Sequence, residues 1–150
     1  MITKLEKSDM DQVIGIWLEA SIKAHDFVGS AFWESKVKDM RELYIPAGET
    51  FIYREKGPIK GFFSLYKDTL AALFVSPAYQ GAGIGSALMG KAKEMRDKLS
   101  LTVYKGNHNS VEFYQKRGFV IEKEQIDEHT GHPELVMTFK ASRFGSELNI

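Results

Sequence analysis

Apolar residues recur along this chain with two different periods, and the switches between them lay out a succession of strands and helices. Ile2 to Leu5 reads as a short first strand. Val13, Ile16, Trp17, Ala20 and Ala24 then fall three or four positions apart, which places them on one face of a helix, and Ser8-Asp9-Met10-Asp11 has the spacing of an N-cap with acid in the first turn. Ser30 is placed to cap a second helix, with Trp33, Val37, Met40 and Tyr44 on one side and Pro46 and Gly48 closing it. Two runs, Phe51 to Glu55 and Ile59 to Tyr66, flank Lys56-Gly57-Pro58 and predict a hairpin. Leu70-Ala71-Ala72-Leu73-Phe74-Val75 shows no alternation, the pattern of a strand buried on both faces, and Pro77 ends it. Ile84, Ala87, Leu88, Ala92, Met95 and Leu99 trace the stripe of a third helix. A strand from Leu101 to Tyr104, a short helix from Ser110 to Arg117 stopped by Gly118, and a final strand pair, Phe119 to Gln125 and Leu135 to Lys140, complete the order β-α-α-β-β-β-α-β-α-β-β.

That order is a mixed α/β domain, and 150 residues suit one core rather than two. Twenty basic and twenty acidic side chains give a formal charge of zero, so no net field draws the chain to nucleic acid or to an anionic membrane. The absence of cysteine removes a disulfide framework and a thiol nucleophile and fits a reducing compartment. No segment has the apolar length of a secretory signal or a membrane span, so the expected place is the cytoplasm. Residues 141 to 150 form a polar tail carrying Phe144 and Leu148, expected either to fray or to dock on a partner.

The chemistry concentrates in Gln80-Gly81-Ala82-Gly83-Ile84-Gly85, between an apolar strand and a helix start. Glycines there leave backbone N–H groups uncovered at the positive end of a helix, an arrangement that holds phosphate. Three phosphate loops compete. A dinucleotide fingerprint fails because Ser86 stands where the third glycine belongs and Leu101-Thr102-Val103-Tyr104 brings no ribose-binding acid. A Walker loop is approached by Gly85 to Lys91, but Ala92 has no hydroxyl for magnesium and the segment is needed as a helix stripe. The pyrophosphate loop of acetyl-CoA enzymes, Gln/Arg-x-x-Gly-x-Gly/Ala, is satisfied by Gln80, Gly83 and Gly85.

On these residues the chain resembles the GNAT superfamily of N-acetyltransferases. Leu73-Phe74-Val75-Ser76-Pro77 through Leu88 is similar to the family's central motif, and Asn107, Ser110, Tyr114, Gly118 and Phe119 match its next motif in order. His25-Asp26-Phe27 and Leu70-Ala71-Ala72 further resemble the small bacterial YiaC-type lysine acetyltransferases. The resemblance implies a single α+β domain over residues 1–150, with a mostly antiparallel sheet of about seven strands, a splayed central parallel pair and about four flanking helices. It implies acetyl-CoA as donor substrate, pantetheine along Leu73, Phe74 and Val75, pyrophosphate on Gly81, Ala82, Gly83, Ile84, Gly85 and Ser86 beside Gln80, and a donor contact from Asn107. Tyr114 resembles the family's general acid, since a phenol keeps its proton at neutral pH. The acceptor is an amine: a protein or peptide lysine, an N-terminus or a small molecule.

The base is missing from the pattern. Holding a lysine-type amine of pKa about 10.4 neutral near pH 7 costs roughly 4 to 5 kcal/mol, yet neither of the two strands expected to splay carries an acid. Thr102 stands where a close branch carries glutamate. His25 is the candidate base, acting through water, beside the alternative of no protein base at all. Phe27, Trp33, Tyr66 and Tyr104 are candidates for the acceptor cleft, although Phe27, Trp33 and Tyr44 also suit a core. His129-Thr130-Gly131-His132 beside Asp127 and Glu128 has metal-donor types on a turn, and no metal is expected there. Lys91, Lys93, Glu94, Arg96, Asp97 and Lys98 read as a solvated helix face. A monomer or a homodimer suits this reading. A non-catalytic acyl-CoA sensor and a nucleotide-binding protein are the competing functions.

Overall fold

The computed structural model describes residues 1–141, so the expected tail from residue 142 onward lies outside the described residues. β1 (Ile2–Lys4) leads through a 3-10 turn, Lys7–Asp9, into α1 (Met10–Ala24). The turn is capped reciprocally by Glu6 and Asp9, not by Ser8, and buried Asp9 also accepts from Arg54 at 2.8 Å. α2 (Ser30–Ser35) starts from Gly29, whose φ is +91°, so Ser30 is its first residue and not its cap. The second helix expected as one piece is divided here: Val37–Asp39, a π-helical Met40–Tyr44 and Ile45–Ala47 follow α2 separately. Pro46 has no N–H to return to the preceding turn, and the Ile45 N–H reaches five residues back to Met40. Tyr44 consequently leaves the core and is 61% exposed.

β2 (Glu49–Arg54) and β3 (Ile59–Tyr66) form the expected hairpin, followed by β4 (Thr69–Val75), α3 (Ile84–Met95), β5 (Lys98–Tyr104), α4 (His108–Lys116), β6 (Val120–Ile126) and β7 (Pro133–Lys140). One seven-stranded sheet runs β1-β2-β3-β4-β5-β7-β6, antiparallel except for the central β4 and β5. A core lies on each face. Leu88, Met89 and Ala92 of α3 pack on Phe63, Leu65, Leu101 and Met137, and Val13, Ile16 and Trp17 of α1 pack on Ile52, Phe62 and Ala72.

Three readings of the pattern are corrected at the centre of the sheet. β4 is not buried on both faces: Leu70 and Ala72 are buried, Ala71 is exposed, and Leu73, Phe74 and Val75 are half-buried. Ala87 is exposed, and Leu99 belongs to β5, because α3 ends at Met95 with Arg96 in an extended conformation. The charged run from Lys91 to Lys98, over the end of α3 and the start of β5, is not all solvated. Lys93 lies 4.2 Å from the Phe139 ring centroid and donates to the Arg117 carbonyl, while Arg96 donates to the Lys67 carbonyl at 2.8 Å.

Candidate active site

Parallel strands β4 and β5 share a single ladder pair, Thr69 with Ser100, and then diverge. A bulge helps to open them. Ser64 faces Ala72 while Leu65 faces Leu70, which leaves Ala71 as the extra residue in β4. Past that point the facing edges of Ala71–Val75 and of Leu101–Tyr104 are not paired with each other, and their backbone N–H and C=O groups meet a groove of about 870 Å³. An open strand edge inside a groove is matched by an extended ligand that carries its own amides.

One wall of the groove is the turn into α3. Gly81 and Gly83 adopt φ of +86° and +82°, a conformation that costs side-chain-bearing residues about 1 kcal/mol or more. Gly83 is the N-cap and has no side chain with which to cover the first N–H groups of α3. Gly85 is small for a different reason, since an added Cβ would lie 3.2 Å from the Phe113 ring. Gln80 donates its side-chain amide to the Val75 carbonyl at 3.2 Å and so ties the loop back to β4. Ile84 is buried and anchors the helix start, Ser86 accepts from Arg117, and Ala82 is exposed on the loop and does not line the groove.

Arg117 is a site residue that the motif reading passed over. Its guanidinium stacks 3.7 Å from the Phe113 centroid, donates to Ser86 and lines the groove beside the glycine loop. Among the described residues it has no carboxylate partner. Burial, with the Arg117 charge second, lowers the pKa of Lys93, and Arg117 itself lies beside the positive end of α3. The available signal was its place at the end of α4, one residue before Gly118.

The other wall carries α4. Asn107 is its N-cap, accepting from the Ser110 N–H at 3.3 Å. Two turns on, Tyr114 packs edge-on against Phe113 and Phe119, and its hydroxyl has no hydrogen-bond partner among the described residues. Burial pushes this phenol up to about 12, so it is protonated throughout the physiological range.

At the remaining end lie the aromatic residues expected around the acceptor. Of these, Tyr104 and His25 line the groove. Tyr104 donates to Asp127, which also accepts from Thr130 at 3.0 Å, and burial together with that bond raises the phenol above its ordinary pKa. Trp33 is buried behind His25 and packs on Trp17, and Phe27 lies over Gly106 outside the lining. Tyr66 is at the wrong end altogether, paired with Thr69 and half-exposed under Lys67. His25 also departs from the expected base: burial lowers its pKa to about 4, and its Nε2 lies 3.1 Å from the Asn107 side-chain nitrogen. Helical geometry from Ile84 to Met95 removes the Walker alternative, with Lys91 paired to Glu94 at 3.8 Å. Among the described residues no cluster of three His, Cys, Asp or Glu side chains is placed to hold a metal, and no helix is long and apolar enough to cross a membrane.

The model of the acetyltransferase (GNAT) domain family matches residues 19–140. The chain belongs to the GNAT family. It is 30% identical over 140 residues to the peptidyl-lysine N-acetyltransferase YiaC of Escherichia coli strain K12, covering 93% of this chain and 96% of that protein. A second curated relative, the peptidyl-lysine N-acetyltransferase YjaB of the same strain, is 27% identical over 129 residues, covering 85% of this chain and 87% of that one. Among solved structures, the solution structure of apo YjaB from Escherichia coli superposes with a TM-score of 0.82 at 23% identity, covering 95% and 98% of the two chains. A GCN5-related N-acetyltransferase from Rhodopseudomonas palustris gives 0.77 at 19% identity, covering 93% and 94%. These two likenesses establish the fold, a seven-stranded mixed sheet with the parallel β4–β5 pair and flanking helices. This GNAT protein is accordingly an acyltransferase of the N-acetyltransferase type.

Proposed function

We propose that this GNAT protein transfers the acetyl group of acetyl-CoA directly to the side-chain amine of a lysine in a protein or peptide. The observation that carries the reading is the single groove joining an anion-binding loop, an unpaired strand edge and the Tyr114 hydroxyl. Each portion of the donor meets a matching portion of that groove. The diphosphate suits the N–H groups of Gly81 and of Gly83 to Ser86 with Arg117, and the amides of pantetheine suit the open edge at Leu73, Phe74 and Val75. A backbone N–H of Phe74 or Val75 polarises the thioester carbonyl.

In the transfer, the amine nitrogen forms the new C–N bond and loses one proton to water. The C–S bond breaks with its electron pair going to sulfur, which takes up one proton and leaves as the thiol. Full proton transfer from a phenol at about 12 to a thiolate of ordinary pKa about 8.5 is uphill by about 5 kcal/mol. Tyr114 therefore acts first as a hydrogen-bond donor that strengthens as sulfur gains charge. Neither Ala71–Val75 nor Leu101–Tyr104 carries a carboxylate, and in the proposed transfer the amine arrives neutral without a base from those strands.

The lysine assignment draws on the curated relatives named for peptidyl-lysine acetylation. Release of CoA measured over a panel of lysine peptides, peptide N-termini and small amines tests this. Turnover with internal lysine is expected, and turnover confined to small amines overturns the acceptor assignment. Acetyl-CoA binding without CoA release from any amine would instead favour a sensor.

A further inference from the structure

Three segments distant in sequence meet at the acceptor end of the groove. The stretch after α1 brings His25 and Phe27, the turn after β5 brings Gly106 and Asn107, and the turn before β7 brings His132. Phe27 packs against Gly106, where an added Cβ would come within 3.2 Å of the ring, and edge-on against Tyr104 and His132 at 5.6 and 5.0 Å between centroids. His25 is enclosed by Phe27, Trp33 and Tyr104 and is 8% exposed. None of these ring neighbours carries a charge.

The direction of the His25–Asn107 hydrogen bond follows from chemistry. Asn107 Oδ1 accepts from the Ser110 N–H, so the end turned to His25 is the amide nitrogen, which only donates. Nε2 of His25 must therefore accept, and the ring proton belongs on Nδ1, a buried atom without a full hydrogen bond that lies toward the Ser21 carbonyl. Both ring nitrogens are thus turned to the protein, and neither is free to collect a proton from an acceptor amine.

We propose that His25 is a positioning residue: by accepting from Asn107 it fixes the N-terminus of α4, the helix that presents Tyr114 to the groove. This rests on the role given above to Tyr114. α4 has nine residues, too few for a helix to hold its shape without anchors, and Asn107 is the cap on which its first turn depends. An unrestrained Asn107 can rotate its amide away from Ser110 and loosen that turn. Displacing a reacting group by about 1 Å costs on the order of a hundredfold in rate, so a loosened α4 weakens catalysis without touching the donor site at the glycine loop.

Two measurements test the proposal. Imidazole nitrogen–proton correlation spectra of the labelled protein, with the His25 signals assigned by their loss in His25→Gln, should show the Nδ1–H tautomer with no titration between pH 5.5 and 9. An Nε2–H tautomer, or a ring titrating near neutrality, overturns the hydrogen bond. In the CoA-release assay, His25→Gln supplies a carbonyl that can accept from Asn107 and should keep kcat within about threefold, with a pH profile parallel to that of the native protein. His25→Leu keeps bulk without an acceptor and should lose about tenfold or more in kcat while the KM for acetyl-CoA stays within about twofold. Full activity in His25→Leu would reduce the ring to packing. Equal loss in both variants, with loss of an ionisation from kcat/KM, would restore it as a base. If His25→Leu does not fold, His25→Gln and the tautomer decide. If the native protein releases no CoA, the proposed function fails while the spectra still judge the hydrogen bond.

Discussion

Replacing Tyr114 by Phe removes one oxygen and isolates one interaction. The ring keeps its edge-on packing against Phe113 and Phe119 at 5.4 and 5.6 Å between centroids, and the lost hydroxyl has no partner among the described residues to be left unsatisfied. Stability should therefore be nearly unchanged. The hydroxyl acts where sulfur takes charge, and a hydrogen bond to a charged group contributes about 1.5 to 3 kcal/mol, equivalent to a fall of about 10- to 150-fold in kcat. The bond forms fully only in the transition state, so the KM for acetyl-CoA should move by less than about twofold. Because burial pushes the phenol up to about 12, no alkaline limb between pH 7 and 9 should vanish with the substitution. Steady-state CoA release at several pH values, with a thermal melt as control, measures all of these. Native kcat in Tyr114→Phe, or a loss that appears wholly in donor KM, would refute the assignment.

Arg117→Gln should raise the KM for acetyl-CoA by about 5- to 30-fold, the effect of losing about 1 to 2 kcal/mol of charge-assisted hydrogen bonding, and should leave acetyl-pantetheine, which has no phosphate, unaffected. An equal loss with both donors in steady-state assays would contradict its role at the diphosphate. Gly83→Val forces a β-branched side chain to φ of +82° while meeting no protein atom within 4 Å, so the penalty is backbone strain of about 1 to 3 kcal/mol. A melting temperature lower by about 3 to 10 °C is expected, and an unchanged melt would contradict it. His25 also makes stability depend on pH. Its native pKa, lowered by burial to about 4, lies below the unfolded value, so the unfolded chain binds the extra proton as pH falls from about 6.5. The contribution is fully present above that pH and lost toward pH 4, at up to about 1.4 kcal/mol per unit, and urea unfolding of His25→Gln should show a shallower decline across the window.

The order of elements was readable because each strand and helix carries its own period, and the glycine loop because its chemistry is local to six residues. What escaped depended on contacts between segments. Leu70–Val75 looks fully buried in composition, but the divergence of β5 exposes Ala71 and half-exposes Leu73, Phe74 and Val75 to the groove. Leu99 continued a helical stripe arithmetically, while Arg96 had already turned the backbone into extended geometry. Tyr66 was a plausible cleft aromatic until the β3–β4 register put it at the tight end of the hairpin. His25 and Asn107 lie 82 residues apart, and their hydrogen bond leaves no trace in either local pattern. Arg117 follows the same logic, since its link to Ser86 spans 31 residues.

Backbone amide chemical-shift mapping with acetyl-CoA tests the donor groove most directly. The account predicts saturable shifts at Leu73, Phe74 and Val75, at Gly81 to Ser86 and around Tyr114 and Arg117, with β1 and β6 silent. No shifts on the folded protein at millimolar ligand, or shifts confined to β6, would contradict it.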